Sequence, residues 1–502
     1  MDNELKTENS RSIARNVLYG FSTFIIPLFF SFYATRLIVK KLGNEDYGLY
    51  ALVVGFVAYS FNFSFGRAIT KYIAEYRISG ENHKINDVIS AALSINLAVA
   101  LTGVALICWF ANWLVTNVYL IEPENQAKTT TGLHIASAIV FFLMLNQIFS
   151  AILQGIHRFD IFSKISNLNN LAVVLGNIFL VYNDYNFLDL LFWNLIITFF
   201  TGFIFVFYAK KFVPEFKISF TIKPEILKLI VRFSSGIIGY QILGNLLLLF
   251  ERGWIISKLG AENLTFYVVP MTLSLFIHNF IGSFALVIFP LASELKDNPE
   301  KLLRLYKKAT KIVCFLVVFL ATTLIVESHL FLTLWMGADF AAQTSTLLVI
   351  HTISFSLLAI QTISWQMTEG LGYPGYNIVS FIICLVINVF LIVLLTQSLG
   401  NVGVAFGRMA GLSAMFLSIF YIEKLFFDRI QTKFWLKLLG VIGVAAFSTV
   451  ITEKLIVSNF QTTWSVFVFA TISGGIVYCA ALLVLGFVDA EDKLLIKNLI
   501  RR

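Results

Sequence analysis

Four arginines, Arg36, Arg67, Arg252 and Arg408, sit inside long apolar runs of this 502-residue chain. A guanidinium keeps its charge when water is withdrawn, and it grips phosphate through paired hydrogen bonds. The chemistry these residues could perform is recognition of an anion. An Arg at mid-membrane costs about 2.5–3.5 kcal/mol on insertion scales, which disfavours lipid-facing positions and predicts a wet interior. Their neighbours agree. Ser234, Gln241, Asn245 and Arg252 are spaced by 7, 4 and 7 residues and share one helical stripe. Ser60, Ser64, Arg67 and Lys71 make a second stripe at spacings of 4, 3 and 4. Asn16, Thr23, Pro27, Ser31 and Thr35 line a third face beside Arg36, and Pro27 can kink that helix. The substrate-binding candidates are thus the four arginines with Gln241 and Asn245. Glu251 and Glu369 are the acidic candidates for ion coupling. Plainer readings stay open: Arg36 and Arg67 lie close enough to their span ends to snorkel. Arg252 can pair with Glu251, and Arg408 stands beside Gly403, Gly407 and Gly411, a ladder suited to helix packing.

Other chemistries find no support. The four cysteines (Cys108, Cys314, Cys384, Cys479) have no paired spacing and read as apolar packers. The six histidines are scattered, without metal-like pairs or a catalytic motif. No cofactor, metal or catalytic residue is expected.

The elements that must position these side chains are membrane spans. Only 13% of the residues are charged and 58% are hydrophobic, with a mean hydropathy of +0.82; soluble domains carry roughly 25% charged residues. The apolar runs reach the roughly 20 residues that cross a bilayer as a helix. Fourteen spans are expected, near 16–39, 47–70, 88–113, 130–155, 162–182, 187–209, 231–257, 264–292, 311–334, 344–369, 376–397, 402–422, 435–456 and 464–487. The first is read as a span and not as a removed signal peptide. A net charge of +8 could suggest nucleic acid, but the charges follow topology. Loops after odd-numbered spans hold only Lys40, Lys41, Lys128, Lys258 and Lys454, whereas the termini and the loops after even-numbered spans, with their flanks, hold most of the rest. Both termini are therefore predicted to be cytoplasmic, and nucleic acid is not a partner.

One phrase occurs twice. KLGNEDYGLY (Lys41 to Tyr50) joins spans one and two, and KLGAENLTFY (Lys258 to Tyr267) joins spans seven and eight, with five of ten positions identical. QIFSAILQG (Gln147 to Gly155) is likewise echoed by QTISWQMTEG (Gln361 to Gly370). An offset of six spans preserves orientation, so two six-helix lobes related by a pseudo-two-fold axis along the membrane normal are expected. The expected organisation is an N-terminal lobe over 1–210, a C-terminal lobe over 211–430, and two extra spans with a tail over 431–502.

LGNEDYGLYALV followed by GRAITKYIAEY (Gly66 to Tyr76) resembles the opening of the Wzx-type polysaccharide flippases. LQGIHRFDIFSKIS (Leu153 to Ser166) and FPLASELKDNPEKLLRLYKKATKI (Phe289 to Ile312) resemble later segments of that branch. The superfamily also holds the multidrug and toxin extruders and the lipid II flippases; many relatives have twelve spans, and the fourteen expected here are more like the lipid II flippases. The resemblance implies an all-α polytopic protein of the bacterial inner membrane. It would flip a polyprenyl-diphosphate-linked oligosaccharide to the outer leaflet by alternating access, with membrane lipids around it. A polysaccharide polymerase or ligase as partner is left open. The diphosphate would suit the arginines, and spans thirteen and fourteen could line a groove for the lipid tail.

The segment before span nine has its own reading. Asn298 can cap a helix starting at Pro299, with Leu302, Leu303, Leu305 and Tyr306 on one side and Lys301, Arg304, Lys307 and Lys308 on another. Such a basic amphipathic helix favours an anionic lipid surface, and equally suits an ordinary cytoplasmic connector. Two competing functions remain. An ion-coupled multidrug exporter of the same fold would favour acidic residues in its cavity. A membrane-embedded polymerase or glycosyltransferase would want a large outer loop or clustered acids and bases.

Overall fold

The computed structural model of the chain describes residues 30–60, 66–213, 223–285 and 288–487. Asn16, Thr23, Pro27 and Ser64, named above in polar stripes, lie outside the described residues, as does the side chain of Ser234. Among the described residues the structure is helical, with no strand. The helices are α1 (30–42), α2 (Asn44–Tyr59), α3 (Gly66–Ile78), α4 (Asn82–Trp113), α5 (Pro123–Gly155), α6 (Phe159–Tyr182), α7 (Phe187–Phe212), α8 (Pro224–Leu259) and α9 (Ala261–Ala285). They continue as α10 (Ile288–Glu294), α11 (Pro299–Val326), α12 (Ser328–Trp335), α13 (Ala338–Gly370), α14 (Pro374–Ser413), α15 (Leu417–Phe426), α16 (Thr432–Asn459) and α17 (Trp464–Val484).

Local chemistry explains the boundaries. Pro123, Pro224, Pro299 and Pro374 open α5, α8, α11 and α14, where a missing N–H breaks no helical bond. Asn298 caps α11 as expected, its Oδ1 accepting from the Lys301 N–H at 3.1 Å. Asn186 and Asp189 form a reciprocal cap on α7. The repeated KLG ends one helix and starts the next. Gly43 (φ 82°, ψ 163°) and Gly260 (φ 91°, ψ 168°) adopt nearly the same conformation, one essentially confined to glycine.

Ten elements among the described residues are long and apolar enough to cross a membrane. The count of fourteen is not established by them. The first expected span is described only from residue 30, and the second appears as the shorter α2 and α3. The eleventh and twelfth form one stretch, Pro374–Phe426, broken at Gly400 (φ 55°, ψ −135°). The surface suits lipid: Phe199, Phe200, Phe203 and Phe207 on α7, and Val386, Phe390 and Leu394 on α14, are exposed.

The chain divides into two compact units, Met1–Thr265 and Phe266–Arg502. In the first, Ile69, Ile73, Ile89, Ile148 and Ile152 knit α3, α4 and α5 into one core, and α8 packs on α2, α3 and α4. In the second, Ile281, Tyr306, Val317, Ile363 and Ile422 centre the core. Helices α16 and α17 attach to α11 through Cys314, Leu438, Ile442 and Tyr478, whose hydroxyl donates to the Phe315 carbonyl at 3.1 Å. Cys314 and Cys384 are buried packers, but Cys108 and Cys479 lie exposed on their helices.

Candidate functional site

In the first unit, Arg67, Thr70 and Lys71 on α3 face Gln147, Ser150 and Gln154 on α5 across a cavity of about 460 Å³. Spacings of three and four residues bring each trio onto one helical face. The walls are held in place. The Thr70 hydroxyl donates to the Ala151 carbonyl at 3.3 Å, and an Arg77 guanidinium N–H donates to the Ile156 carbonyl at 3.0 Å. Gly155 lets α3 approach closely, since a Cβ there would stand 2.9 Å from Ile73 Cβ. The cavity thus offers two cations and a wall of amides and hydroxyls, a combination able to bind an anion together with neutral polar groups. The sequence marks Arg67 and Lys71 as a stripe, whereas Gln147 and Gln154 figure only within the repeated phrase QIFSAILQG; their spacing of seven is the signal that joins them on one face.

The other predicted residues are placed differently. Arg36 is half-buried on α1. Arg252, 7% exposed, donates through Nη1 to the Ala51 carbonyl and lies 5.4 Å from the Tyr59 ring centroid. Its side chain fills the space left by Gly55, where a Cβ would meet Arg252 Cδ at 2.7 Å. It therefore fastens α8 to α2. Gln241 and Asn245 are half-buried on α8, with the Gln241 Oε1 atom lacking a hydrogen-bond partner.

In the second unit, Arg408 is buried, donates through Nε to the Tyr267 hydroxyl at 3.2 Å, and lies 5.6 Å from the Phe355 ring centroid. The glycines near it serve packing: a Cβ at Gly411 would stand 2.7 Å from Asn388 Cβ, and one at Gly407 would stand 2.9 Å from Ile392. Glu251 is buried on α8, and half-buried Glu369 accepts from Trp365 Nε1 at 2.9 Å. The sequence reading passed over three further carboxylates that the fold buries, Glu327, Glu423 and Glu453. Glu423 lies just past the expected twelfth span and Glu453 near the end of the expected thirteenth, where burial depends on neighbours distant in sequence.

The repeated loops touch. Asn44 Nδ2 donates to Glu262 Oε1 at 3.0 Å, and the Thr265 hydroxyl donates to the Asn44 carbonyl at 2.5 Å. Gly48 lies against the Ala261 carbonyl so closely that no Cβ fits between them. Asn44 and Gly48 in one copy correspond to Ala261 and Thr265 in the other. The contacts Gly48–Ala261 and Thr265–Asn44 are therefore reciprocal, as a local two-fold relation requires.

Residues 35–345 match the model of a family described as polysaccharide biosynthesis protein. The chain is 22% identical over 369 residues to a proposed O-antigen transporter of Shigella flexneri, covering 72% of this chain and 85% of that protein. Its fold is similar to that of a solved lipid II flippase, MurJ, in an inward closed conformation, with a TM-score of 0.72 at 18% identity over 93% of this chain and 98% of that one. An inward-facing multidrug resistance transporter of the MATE family superposes with a TM-score of 0.69 at 16% identity, over 80% of this chain and 96% of that one. The family match spans more than half of the chain, and the helices it covers build the basic cavity and the paired loops. This multi-pass membrane protein belongs to the polysaccharide biosynthesis protein family and has the fold shared by MurJ and the MATE transporters.

Proposed function

We propose that the protein is a flippase that carries a polyprenyl-diphosphate-linked oligosaccharide from the cytoplasmic to the outer leaflet for surface polysaccharide assembly. The family and the O-antigen relative support the class of cargo, and the fold supports alternating access. The observation that carries the reading is the cavity of Arg67 and Lys71 opposite Gln147, Ser150 and Gln154. Two cations suit a diphosphate, and the amides and hydroxyls suit sugar hydroxyls. The cavity lies at the Lys- and Arg-rich end of its helices, which the positive-inside rule makes cytoplasmic. The paired loops at Gly48 and Ala261 lie at the other end of α2. An anionic headgroup moving outward gains about 2.3 kcal/mol per charge per 100 mV, so the membrane potential can drive export. Arg36, Arg252 and Arg408, with Gln241 and Asn245, remain candidates for later stages of passage, and Glu251 and Glu369 for coupling to an ion.

The test is a strain lacking the gene, complemented with the intact protein or with Arg67→Gln/Lys71→Gln at equal membrane abundance. Lipid-linked saccharide trapped on the cytoplasmic side, released by the intact protein and not by the double variant, is expected. Full export by the double variant would reject the site. Saccharide already outside but unpolymerised in the deletion strain would reject the flippase.

A further inference from the structure

Two carboxylates are buried where α11 ends against α16. Glu327 follows the last residue of α11 and is 1% exposed, and Glu453 on α16 is fully buried. The Glu327 backbone is satisfied: its N–H donates to the Thr323 carbonyl at 2.9 Å, and its carbonyl accepts from the Phe331 N–H at 2.8 Å. Its two carboxylate oxygens have no hydrogen-bond partner, and neither has Glu453 Oε2. Thr323, one helical turn before Glu327, donates to Glu453 Oε1 at 2.8 Å, so both acids belong to one spot between the helices. Helix α17 seals it. A Cβ at Gly474 would stand 2.6 Å from Glu453 Oε1, and the Gly474 carbonyl accepts from the Thr449 hydroxyl at 3.3 Å. Among the described residues no cation pairs with either acid. On α16, Lys454 is exposed, and on α12, exposed His329 has its Nδ1 3.5 Å from the Thr333 hydroxyl. Helix α17 carries no charged residue, and its Tyr478 hydroxyl is bonded to Phe315. On α13, Asp339 is exposed, His351 packs edge-on to the Tyr267 ring at 4.6 Å, and Glu369 accepts from Trp365. Lys311, the last cation of α11, is about 24 Å away along the helix. The charge that acts on Glu453 is that of Glu327.

Two carboxylates in reach of each other and shielded from water cannot both stay ionised without a compensating cation. The surroundings favour a proton over a metal ion. Calcium takes about six to eight oxygen ligands, whereas Glu453 Oε1 and the Gly474 carbonyl are already engaged by hydroxyls and three carboxylate oxygens remain. We propose that Glu327 and Glu453 form a proton-binding site, in which one proton is held by the pair and keeps α16 and α17 against the end of α11. The proton comes from hydronium and leaves water behind; one O–H bond forms, and the charge of the pair changes from −2 to −1. The Thr323 hydroxyl stabilises the Glu453 carboxylate, so the proton resides chiefly on Glu327, which has no donor of its own. Without it, two like charges face each other between α11 and α16 and weaken their attachment. The site lies wholly in the second unit and does not depend on the nature of the cargo.

Infrared spectra of the full-length protein in nanodiscs, taken from about pH 5 to about pH 9, report the C=O stretch of protonated carboxyl groups. A solvated glutamate is ionised above about pH 5, so a carboxyl band that persists at neutral pH marks a buried proton. The parent protein should show such a band that Glu327→Gln lacks. Glu453→Gln removes the neighbouring charge and should move the loss of the band lower by about one pH unit or more. Thr323→Val takes the donor from Glu453, lets the proton sit on either acid, and should move the loss higher. The native pair holds a proton that the unfolded chain releases, so the thermal midpoint of the parent should fall relative to that of Glu327→Gln as pH rises. If Glu453→Gln does not fold, Glu327→Gln and Thr323→Val still decide the matter. An unchanged band in Glu327→Gln, an unmoved titration in Glu453→Gln, or parallel midpoint curves would overturn the proposal. So would loss of the band at fixed pH when choline chloride is replaced by sodium or calcium chloride, which would make the pair a metal site. No transport is read, so failure leaves the export reading standing.

Discussion

Gly48 lies directly on the carbonyl of Ala261, with no room for a side-chain carbon between them. The two residues belong to the two copies of one ten-residue phrase, 217 positions apart. Their contact, repeated in reverse by Thr265 and Asn44, gives the phrase a physical reason to be present twice. Each copy must make the same glycine-dependent turn and then offer a small or hydrogen-bonding surface to the other.

Gly48→Ala should therefore drive a methyl group into the Ala261 backbone and push the starts of α2 and α9 apart. Overpacking of this kind costs about 1–3 kcal/mol. A lower midpoint in fluorescence-detected thermal unfolding is the expected reading. Gly443→Ala, where a Cβ meets nothing within 4 Å, should hold or raise that midpoint. Indistinguishable midpoints for the two variants would show that the loops do not meet.

Gly55 and Arg252 should be energetically coupled. Gly55→Ala displaces the guanidinium from the Ala51 carbonyl, and Arg252→Gln removes it outright, so the second change has less to remove once the first is made. A double-mutant cycle on unfolding free energies should give a coupling of about 0.5–3 kcal/mol. Additivity within about 0.3 kcal/mol would dismiss the contact.

Glu423 should be a stability determinant of the second unit. It accepts from the Tyr306 hydroxyl at 2.7 Å, from Trp435 Nε1 at 2.6 Å and from the Gln431 N–H at 2.7 Å, joining α11, α15 and the start of α16. Glu423→Ala strands three donors and should destabilise by about 3–5 kcal/mol, with Glu423→Gln losing less. Limited proteolysis should then release the α16–α17 segment earlier than in the parent protein. Unaltered cleavage in Glu423→Ala would contradict this.

Glu327 should behave in the opposite sense. Neither of its carboxylate oxygens has a hydrogen-bond partner, it is 1% exposed, and Glu453 lies within electrostatic reach. Glu453 itself accepts from the Thr323 hydroxyl at 2.8 Å. Removing one of two crowded, buried carboxylates relieves uncompensated charge, so Glu327→Gln should be neutral or stabilising by about 1–2 kcal/mol. A clear loss of thermal stability would mean that this carboxylate is satisfied in the working protein.

How far the sequence could be read differs from residue to residue. The α11 segment was legible because its cap, its proline and its two faces are local features: Asn298, Pro299 and buried Leu302 and Tyr306 stand where the spacing put them. The Gly403–Gly407–Gly411 ladder was legible as packing for the same reason, small residues at one helical spacing. The intramembrane arginines were legible as a class and not as individuals. Arg67 lines a cavity whereas Arg252 is bound to a backbone carbonyl, and nothing within a turn of either residue distinguishes the two fates.

By itself, the sequence determined an all-helical membrane protein, the ends of many of its spans and the duplicated loop, because hydropathy, proline, glycine and capping chemistry act over a few residues. Only the tertiary structure decided which polar groups face a cavity, which are consumed in packing, and which carboxylates are buried. Those outcomes depend on the partner that arrives from far along the chain: Gln147 beside Arg67, Ala51 beside Arg252, Tyr306 beside Glu423, and Thr323 beside Glu453.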